Sequence, residues 1–147
     1  MLPESLAFFA SAPREMNSPS ALSVSAGRRY VVLVVDDDKD IRDLLSDALT
    51  AEGYAVVSAR HGAEALERLR GCRADLILLD LMMPVMDGIA FMSAKNCSSL
   101  IRDIPVIAMT AATRSHVEGA VTLMRKPFDL DVFLANVARW VRKRPAE

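Results

Sequence analysis

Acidic side chains stand directly after two apolar runs of strand length in this 147-residue chain. Asp36 and Asp37 follow the run at 30–35, and Asp80 follows the run at 76–79. Carboxylates that lie close together repel one another, so a cluster of them needs a compensating cation. A hard divalent ion suits oxygen ligands, and Mg²⁺ is the first candidate. One carboxylate of such a cluster can also act as a nucleophile.

A hydroxyl group and an ammonium group stand after two later apolar runs. Thr110 ends the run at 104–109, and Lys126 comes shortly after the run at 121–124. A lysine ammonium supplies a point charge and a threonine hydroxyl supplies a donor, and both suit the oxygens of a phosphoryl group. Singly, each of these residues could be an ordinary turn or surface residue. Together with the acids they predict phosphoryl transfer onto an aspartate, with Mg²⁺ neutralising charge between donor and acceptor.

The elements that must position these groups are predicted from the apolar pattern. Strands are expected at 30–35, 54–59, 76–79, 104–109 and 121–124. Helical spacing predicts helices between Asp38 and Gly53, at 63–70, from about 88 to 96, and at 130–143. Alternating strands and helices with short connections favour a doubly wound parallel sheet. In such a sheet the carboxyl ends of the strands share one edge, where the acids, the threonine and the lysine can converge.

Each helix is expected to bury one apolar face, because apolar residues recur at helical spacing. Asp38 and Asp129 are placed to cap the first and last helices. The expected inward residues are Ile41, Leu44, Leu45, Ala48 and Leu49 in the first helix, Ala65, Leu66 and Leu69 in the second, and Val132, Phe133, Val137, Trp140 and Val141 in the last. The third helix is expected to carry Ile89, Phe91 and Met92.

Composition limits the classes of partner. The net charge of −1 gives no electrostatic case for binding nucleic acid or an anionic membrane surface. No apolar run approaches the roughly 18 residues of a membrane-spanning helix. Cys72 and Cys97 stand alone, which predicts reduced thiols and a cytoplasmic location. Residues 1–28 show no periodicity, so a disordered or weakly ordered tail is expected there.

Two other aspartate motifs fit less well. The alternation of Asp36, Asp38 and Asp40 resembles the start of an EF-hand loop, but Ile41 stands where that loop needs glycine. The pair Asp36 and Asp38, with one residue between them, also resembles the motif of phosphatases of the haloacid dehalogenase type. Those enzymes carry threonine or valine four positions after the nucleophile, where this chain has Asp40.

Four motifs, in this order, resemble the receiver domain of two-component response regulators. They are Val34-Val35-Asp36-Asp37-Asp38, Asp80-Leu81-Met82-Met83-Pro84-Val85-Met86-Asp87-Gly88, Val106-Ile107-Ala108-Met109-Thr110-Ala111 and Lys126-Pro127-Phe128. The resemblance covers about residues 29–144, which leaves tails at 1–28 and 145–147. It implies a flavodoxin-like, five-stranded parallel sheet with the strand order 2-1-3-4-5.

The resemblance also implies a role for each acid. Asp80 would accept a phosphoryl group from a histidine kinase or a histidine phosphotransfer protein. Asp37 and Asp80 would ligate Mg²⁺ directly and Asp36 through water. Met82 would ligate the ion through its main-chain carbonyl.

Two departures from the family pattern bear on switching. By the resemblance, Lys126 would pair with the phosphoryl group, and Thr110 would move in to hydrogen-bond it. Leu123 stands where the family usually has an aromatic residue that changes rotamer on activation. Only fifteen residues separate Thr110 from Lys126, so the fourth helix, near 115–120, is expected to be shortened to about two turns or fewer, or replaced by a loop.

The expected function is a stand-alone phosphoryl-accepting switch in a two-component phosphorelay. Its output would be binding of an unidentified downstream protein, without nucleic acid or membrane, and a homodimer is compatible with the resemblance. Enzymatic activity would be limited to Mg²⁺-dependent autophosphorylation from small donors and to autodephosphorylation. The alternative is a pseudo-receiver-like interaction module with little phosphorylation-dependent switching, which Leu123 and the shortened helix favour.

Overall fold

The computed structural model describes residues 29–83, 85–111 and 117–141. Within them the chain forms strands and helices in near alternation. The elements are β1 (Val31–Val35), α1 (Lys39–Ala51), β2 (Ala55–Ala59), α2 (Gly62–Gly71), β3 (Leu76–Asp80), α3 (Gly88–Asn96), β4 (Val106–Thr110), β5 (Thr122–Arg125) and α4 (Leu130–Val141). The strands pair in parallel in the order β2-β1-β3-β4-β5. The predicted fold and strand order are therefore confirmed.

The sheet is buried on both faces, which explains why its central strands are continuous apolar runs. Successive side chains of a strand point to opposite faces. In β3, Leu79 packs in the cluster that contains Phe91 of α3, whereas Leu78 packs in the cluster that contains Phe133 of α4. Two apolar cores, one on each face, thus hold the sheet between its helices.

The buried faces of the helices are narrower than predicted. Leu44 in α1 is 53% exposed, Val132 in α4 is 52% exposed and Ile89 in α3 is 42% exposed. Leu44 and Val132 directly precede the buried residues Leu45 and Phe133. Neighbouring helical positions point about 100° apart, so the residue before Leu45 or Phe133 points away from the sheet that its neighbour faces. Placing Leu44 and Val132 on the inward faces of their helices was wrong.

Both predicted ends of α1 and the predicted start of α4 agree with the structure. The carboxylate of Asp38 accepts hydrogen bonds from the amides of Asp40 and Ile41, and Gly53 follows the helix with a φ of 97°. A Cβ would disfavour this left-handed conformation. The carboxylate of Asp129 accepts a hydrogen bond from the amide of Asp131 at 2.8 Å. These contacts satisfy amide groups that a helix start leaves without intrahelical partners.

The connection between β4 and β5 contains no helix at 111 or at 117–121, the parts of it that the structure describes. The rest of the predicted short helix, at 115–116, lies outside the described residues, as do the predicted tails at 1–28 and 145–147 and the predicted helix end at 142–143. Across the described ranges, no helix combines the length and apolar character that a membrane crossing requires.

The start of α3 packs directly on the end of β3. The amide of Gly88 donates a hydrogen bond to the carbonyl oxygen of Leu81 at 3.2 Å. A Cβ at Gly88 would lie 2.7 Å from the Cα of Leu81 and 2.9 Å from the carbonyl oxygen of Asp80. Since these neighbours are largely backbone, they cannot move aside easily, and the residue at 88 sets the distance between the helix and the strand end.

We therefore expect Gly88→Ala to lower the free energy of unfolding by about 1–3 kcal/mol, the usual effect of overpacking. Gly71→Ala is the matched control, because a Cβ there meets nothing within 4 Å. Since alanine is the better helix former, that control should gain about 0.5–1 kcal/mol. Urea unfolding measures both changes, and equal midpoints for the two variants would contradict the close contact.

Candidate functional site

The register of the sheet places Asp36 beside Asp80. Val35, the last residue of β1, pairs with Leu79 of β3, and an acid follows each of them. Asp37 continues the chain at the same edge and is exposed, whereas Asp36 and Asp80 are buried. One carboxylate oxygen from each of the three acids lies within 4.8 Å of the others. The structure thus brings together the three acids that the sequence placed at strand ends.

The same register brings Thr110 and Lys126 to this edge. Asp80 pairs with Met109 of β4, so Thr110 lies one residue further along, and its side chain is buried. Thr110 pairs with Arg125 of β5, and the amide of Lys126 donates a hydrogen bond to the carbonyl oxygen of Thr110 at 2.7 Å. All four strand ends that were predicted to converge therefore meet at one edge.

Lys126 joins two of the acids. Its Nζ lies 2.9 Å from Oδ2 of Asp36 and 3.5 Å from Oδ2 of Asp80. The ammonium group thus supplies part of the positive charge that a cluster of carboxylates needs. This ion pair links residues 90 positions apart in the chain, across the central strands of the sheet.

The amide, the carboxylate and the carbonyl of Asp36 all form hydrogen bonds. Its amide donates a hydrogen bond to the carbonyl oxygen of Ala59 at 3.2 Å, and its Oδ1 accepts one from the amide of Asp38 at 2.9 Å. Its carbonyl oxygen accepts a hydrogen bond from Nη1 of Arg42 at 2.9 Å. Sequence reasoning missed Arg42, because a hydrogen bond from a side chain to a main-chain carbonyl leaves no pattern of residue types.

The loop after β3 carries Met82, which is predicted to ligate the metal ion through its main-chain carbonyl. The amide of Met82 donates a hydrogen bond to Oδ1 of Asp80 at 3.2 Å, while its side chain is 65% exposed. Val85 has a φ of 65°, an unusual conformation for a β-branched residue. The amide of Gly62 at the start of α2 donates a hydrogen bond to the carbonyl oxygen of Met86 at 3.1 Å. The loop is therefore tied to a neighbouring helix as well as to the acid.

The electrostatics of the pocket disfavour a fully ionised Asp80. Burial, and next the negative charge of Asp36, raise the pKa of Asp80 to about 6. Burial is also the largest influence on Lys126 and opposes its charge. The hydrogen bond and charge of Asp36, with the charge of Asp80, outweigh burial and raise the pKa of Lys126. The pocket thus holds more negative charge than Lys126 alone compensates.

The donor set fits a divalent cation. The three acids offer carboxylate oxygens, which are the ligands that Mg²⁺ prefers. Oxygens that share an octahedral Mg²⁺ lie about 3–4 Å apart, so the observed spacing needs only small side-chain movements. A bound cation would also oppose the burial and the repulsion from Asp36 that together raise the pKa of Asp80.

Fold and site together define a class: a flavodoxin-like domain with an acidic pocket at the carboxyl edge of its sheet. A family model described as the response regulator receiver domain matches residues 32–138. NtrC of Escherichia coli, a DNA-binding transcriptional regulator, is 39% identical over 118 residues, which are 76% of this chain and 25% of that protein. The response regulator MprA of Mycobacterium ulcerans is 36% identical over 124 residues, covering 79% of this chain and 52% of that protein.

Solved structures agree with this assignment. The chemotaxis response regulator CheY4 of Vibrio cholerae has a TM-score of 0.71 and 33% identity, covering 76% of this chain and 98% of that chain. The response regulator TrrA of Thermotoga maritima, solved with Mg²⁺-BeF, has a TM-score of 0.68 and 30% identity, covering 76% and 98%. The chain belongs to the response regulator receiver family. It spans about a quarter to a half of the two curated relatives named above.

The raised pKa of Asp80 predicts how stability depends on pH when no metal is present. A carboxyl whose pKa is higher in the folded state contributes stability below its unfolded pKa, and this stability is lost as the pH rises through the folded value. For Asp80 the loss falls between the ordinary value of 3.8 and about 6. In EDTA, the stability advantage of Asp80→Asn over the parent should therefore grow from about pH 4 to about pH 7 and then level off.

Thermal unfolding across this pH range measures the difference between the two proteins. Asp47→Asn is the matched control, because Asp47 is exposed on α1. Its difference from the parent protein should stay nearly constant with pH. An advantage of Asp80→Asn that did not change with pH would contradict the proposed charge balance.

Proposed function

We propose that this receiver domain is a phosphoryl-accepting switch and that Asp80 is its acceptor. The observation that carries the proposal is the arrangement around Asp80. Its carboxylate lies at a strand end, with oxygens of Asp36 and Asp37 within 4.8 Å and the ammonium group of Lys126 at 3.5 Å. The carboxylate of Asp80 therefore has the ammonium group of Lys126 as a partner, and the three carboxylates are spaced so that they could share a divalent ion.

In the proposed reaction, a carboxylate oxygen of Asp80 attacks the phosphorus of a phosphohistidine on a histidine kinase or a histidine phosphotransfer protein. The new O–P bond forms as the N–P bond breaks, and the electron pair leaves with the imidazole, which takes up a proton. The product is an acyl phosphate on Asp80. Acetyl phosphate reacts in the same way, with acetate as the leaving group.

Asp36, Asp37, Asp80 and the main-chain carbonyl of Met82 would hold Mg²⁺. When bound, the ion neutralises charge on the phosphoryl oxygens. Asp37 and Asp80 are assigned as direct ligands and Asp36 as a ligand through water. The last assignment agrees with the contacts of Asp36, whose two carboxylate oxygens already accept hydrogen bonds from Asp38 and Lys126.

Lys126 and Thr110 would recognise the transferred group. Lys126 already lies between two acids at the pocket, so its ammonium can turn to a phosphoryl oxygen on Asp80 with little movement. The hydroxyl of Thr110 would donate a hydrogen bond to the same group. Because the amide of Lys126 donates a hydrogen bond to the carbonyl of Thr110, a movement of either residue would displace the backbone of the other.

The proposed output is binding to a downstream protein in the cytoplasm. A net charge of −1 gives the chain no general attraction for nucleic acid. Cys72 and Cys97 are free, which agrees with a reducing compartment. Homodimerisation is one form that this output could take, and the size of the phosphorylated protein tests it.

Incubation of the full chain with acetyl phosphate and Mg²⁺ should add the mass of one phosphoryl group, measured by mass spectrometry. Asp80→Asn or excess EDTA should abolish the gain, and Lys126→Ala should slow it by about 100-fold or more, as expected for loss of a charge-stabilising group. Asp47→Asn should react like the parent protein. A gain that survives Asp80→Asn would disprove the assignment of the acceptor.

The phosphorylated protein should lose its phosphoryl group slowly. Met82 lies two positions beyond Asp80 and has no group that orients an attacking water, so Met82→Asn should shorten the lifetime several-fold. Ile89→Asn, which changes another exposed apolar residue nearby in sequence, is the control and should leave the lifetime unchanged. Equal lifetimes for Met82→Asn and the parent protein would argue against this account.

A further inference from the structure

Arg42 reaches back from α1 to the loop that carries the first two acids. Its Nη1 donates a hydrogen bond to the carbonyl oxygen of Asp36 at 2.9 Å, and its side chain is half-buried. Hydrogen bonds fix the backbone at the start of α1, where Arg42 lies. Asp38 caps α1, and the amide of Arg42 donates to the carbonyl of Asp38 at 2.9 Å. Arg42 is therefore a charged hydrogen-bond donor whose own backbone is held in place.

The carbonyl that Arg42 holds belongs to the peptide group joining Asp36 to Asp37. A peptide group is planar, so fixing its oxygen also fixes the direction in which the chain enters Asp37. The preceding peptide group is fixed as well, because the amide of Asp36 donates to the carbonyl of Ala59 at 3.2 Å. Asp37 itself is exposed at the mouth of the pocket. Its position relative to Asp80 thus depends on the backbone just before it.

Arg42 and Lys126 contact different parts of Asp36. Lys126 contacts the carboxylates of Asp36 and Asp80, the groups that also serve a cation or a phosphoryl group. Arg42 contacts the main chain, so its contact uses none of the carboxylate oxygens. A guanidinium is always charged and its hydrogen bond to an oxygen is charge-assisted, so this contact can persist when the pocket fills.

We propose that Arg42 is a positioning residue for the cation site, holding the Asp36–Asp37 peptide group so that the carboxylate of Asp37 faces that of Asp80. The inference rests on the proposed function, because it concerns the Mg²⁺ that this function requires. Groups that orient metal ligands without touching the metal commonly affect affinity by about 10–100-fold.

Arg68 provides a matched control. Its Nε donates a hydrogen bond to the carbonyl oxygen of Ser58 in β2 at 3.0 Å, so it too joins a helix to a carbonyl near a strand end. The peptide group it holds leads into Ala59, not into an acid. Ala59 is joined to Asp36 by one hydrogen bond, from the amide of Asp36 to its carbonyl oxygen. Arg68→Ala should therefore remove a similar contact while the peptide group that leads into Asp37 keeps its own hydrogen bond to Arg42.

The experiment is calorimetric titration of the full chain with Mg²⁺ alone, without a phosphoryl donor. Arg42→Ala should weaken Mg²⁺ binding by about tenfold or more. Arg42→Lys keeps a charged donor and should restore most of the affinity, and Arg68→Ala should bind like the parent protein. In metal-free protein, the carbonyl ¹³C shift of Asp36 should change in Arg42→Ala and remain in place in Arg68→Ala.

Equal Mg²⁺ affinity of the parent protein and Arg42→Ala, or an equal loss in Arg42→Ala and Arg68→Ala, would overturn the positioning role and leave the proposed function intact. Failure of the parent protein to bind Mg²⁺ would overturn both. Arg42→Met is measured alongside, because it keeps most of the apolar stem without a donor and tests the same contact if the alanine variant does not fold. Parent-like Mg²⁺ affinity of Arg42→Met would also overturn the role.

Discussion

Repulsion among three clustered carboxylates is the constraint on which the rest of the site depends. Asp36 and Asp80 are both buried, and a buried charge is costly unless it is paired and hydrogen-bonded. Lys126 pairs with both, and the amides of Asp38 and Met82 donate to one acid each. These contacts do not offset the two effects that oppose ionisation, because burial and then the charge of Asp36 still raise the pKa of Asp80 to about 6. The pocket is thus prepared for one more positive charge.

The fold sustains this unfavourable cluster through the register of its central strands. Both faces of the sheet are buried, so a slip of one residue would turn the apolar side chains of a strand toward the opposite core. Val35 opposite Leu79 and Asp80 opposite Met109 are therefore strongly specified by packing. The acids occupy the first positions beyond or at the end of this ladder, and they come together because the apolar residues before them are held.

The strand ends were predictable because each combines two simple signals, an apolar run and a chemical group directly after it. Asp36, Asp80, Thr110 and Lys126 were located in this way, and the strand order followed from the resemblance. Side-chain contacts with the backbone were predictable only where an aspartate directly precedes a helix, as at Asp38 and Asp129. Nothing in the residue types links Arg42 to the carbonyl of Asp36, or shows that His61 caps α2 by accepting from the amide of Glu64. Helical spacing alone also could not decide which of two adjacent apolar residues, such as Leu44 and Leu45, faces the core.

Transmission from the pocket is constrained by the same contacts. Leu123 is half-buried against the core cluster on one face of the sheet, where the family pattern has a ring. An aliphatic side chain packed in this way has no ring to turn inward, so rotation of an aromatic residue at position 123 is not available. A second path runs through the backbone, since the amide of Lys126 donates to the carbonyl of Thr110 and its side chain contacts the acids. Under the proposed function, withdrawal of Lys126 from Asp36 would act directly on the ends of β4 and β5, and the surface beside them would carry the signal.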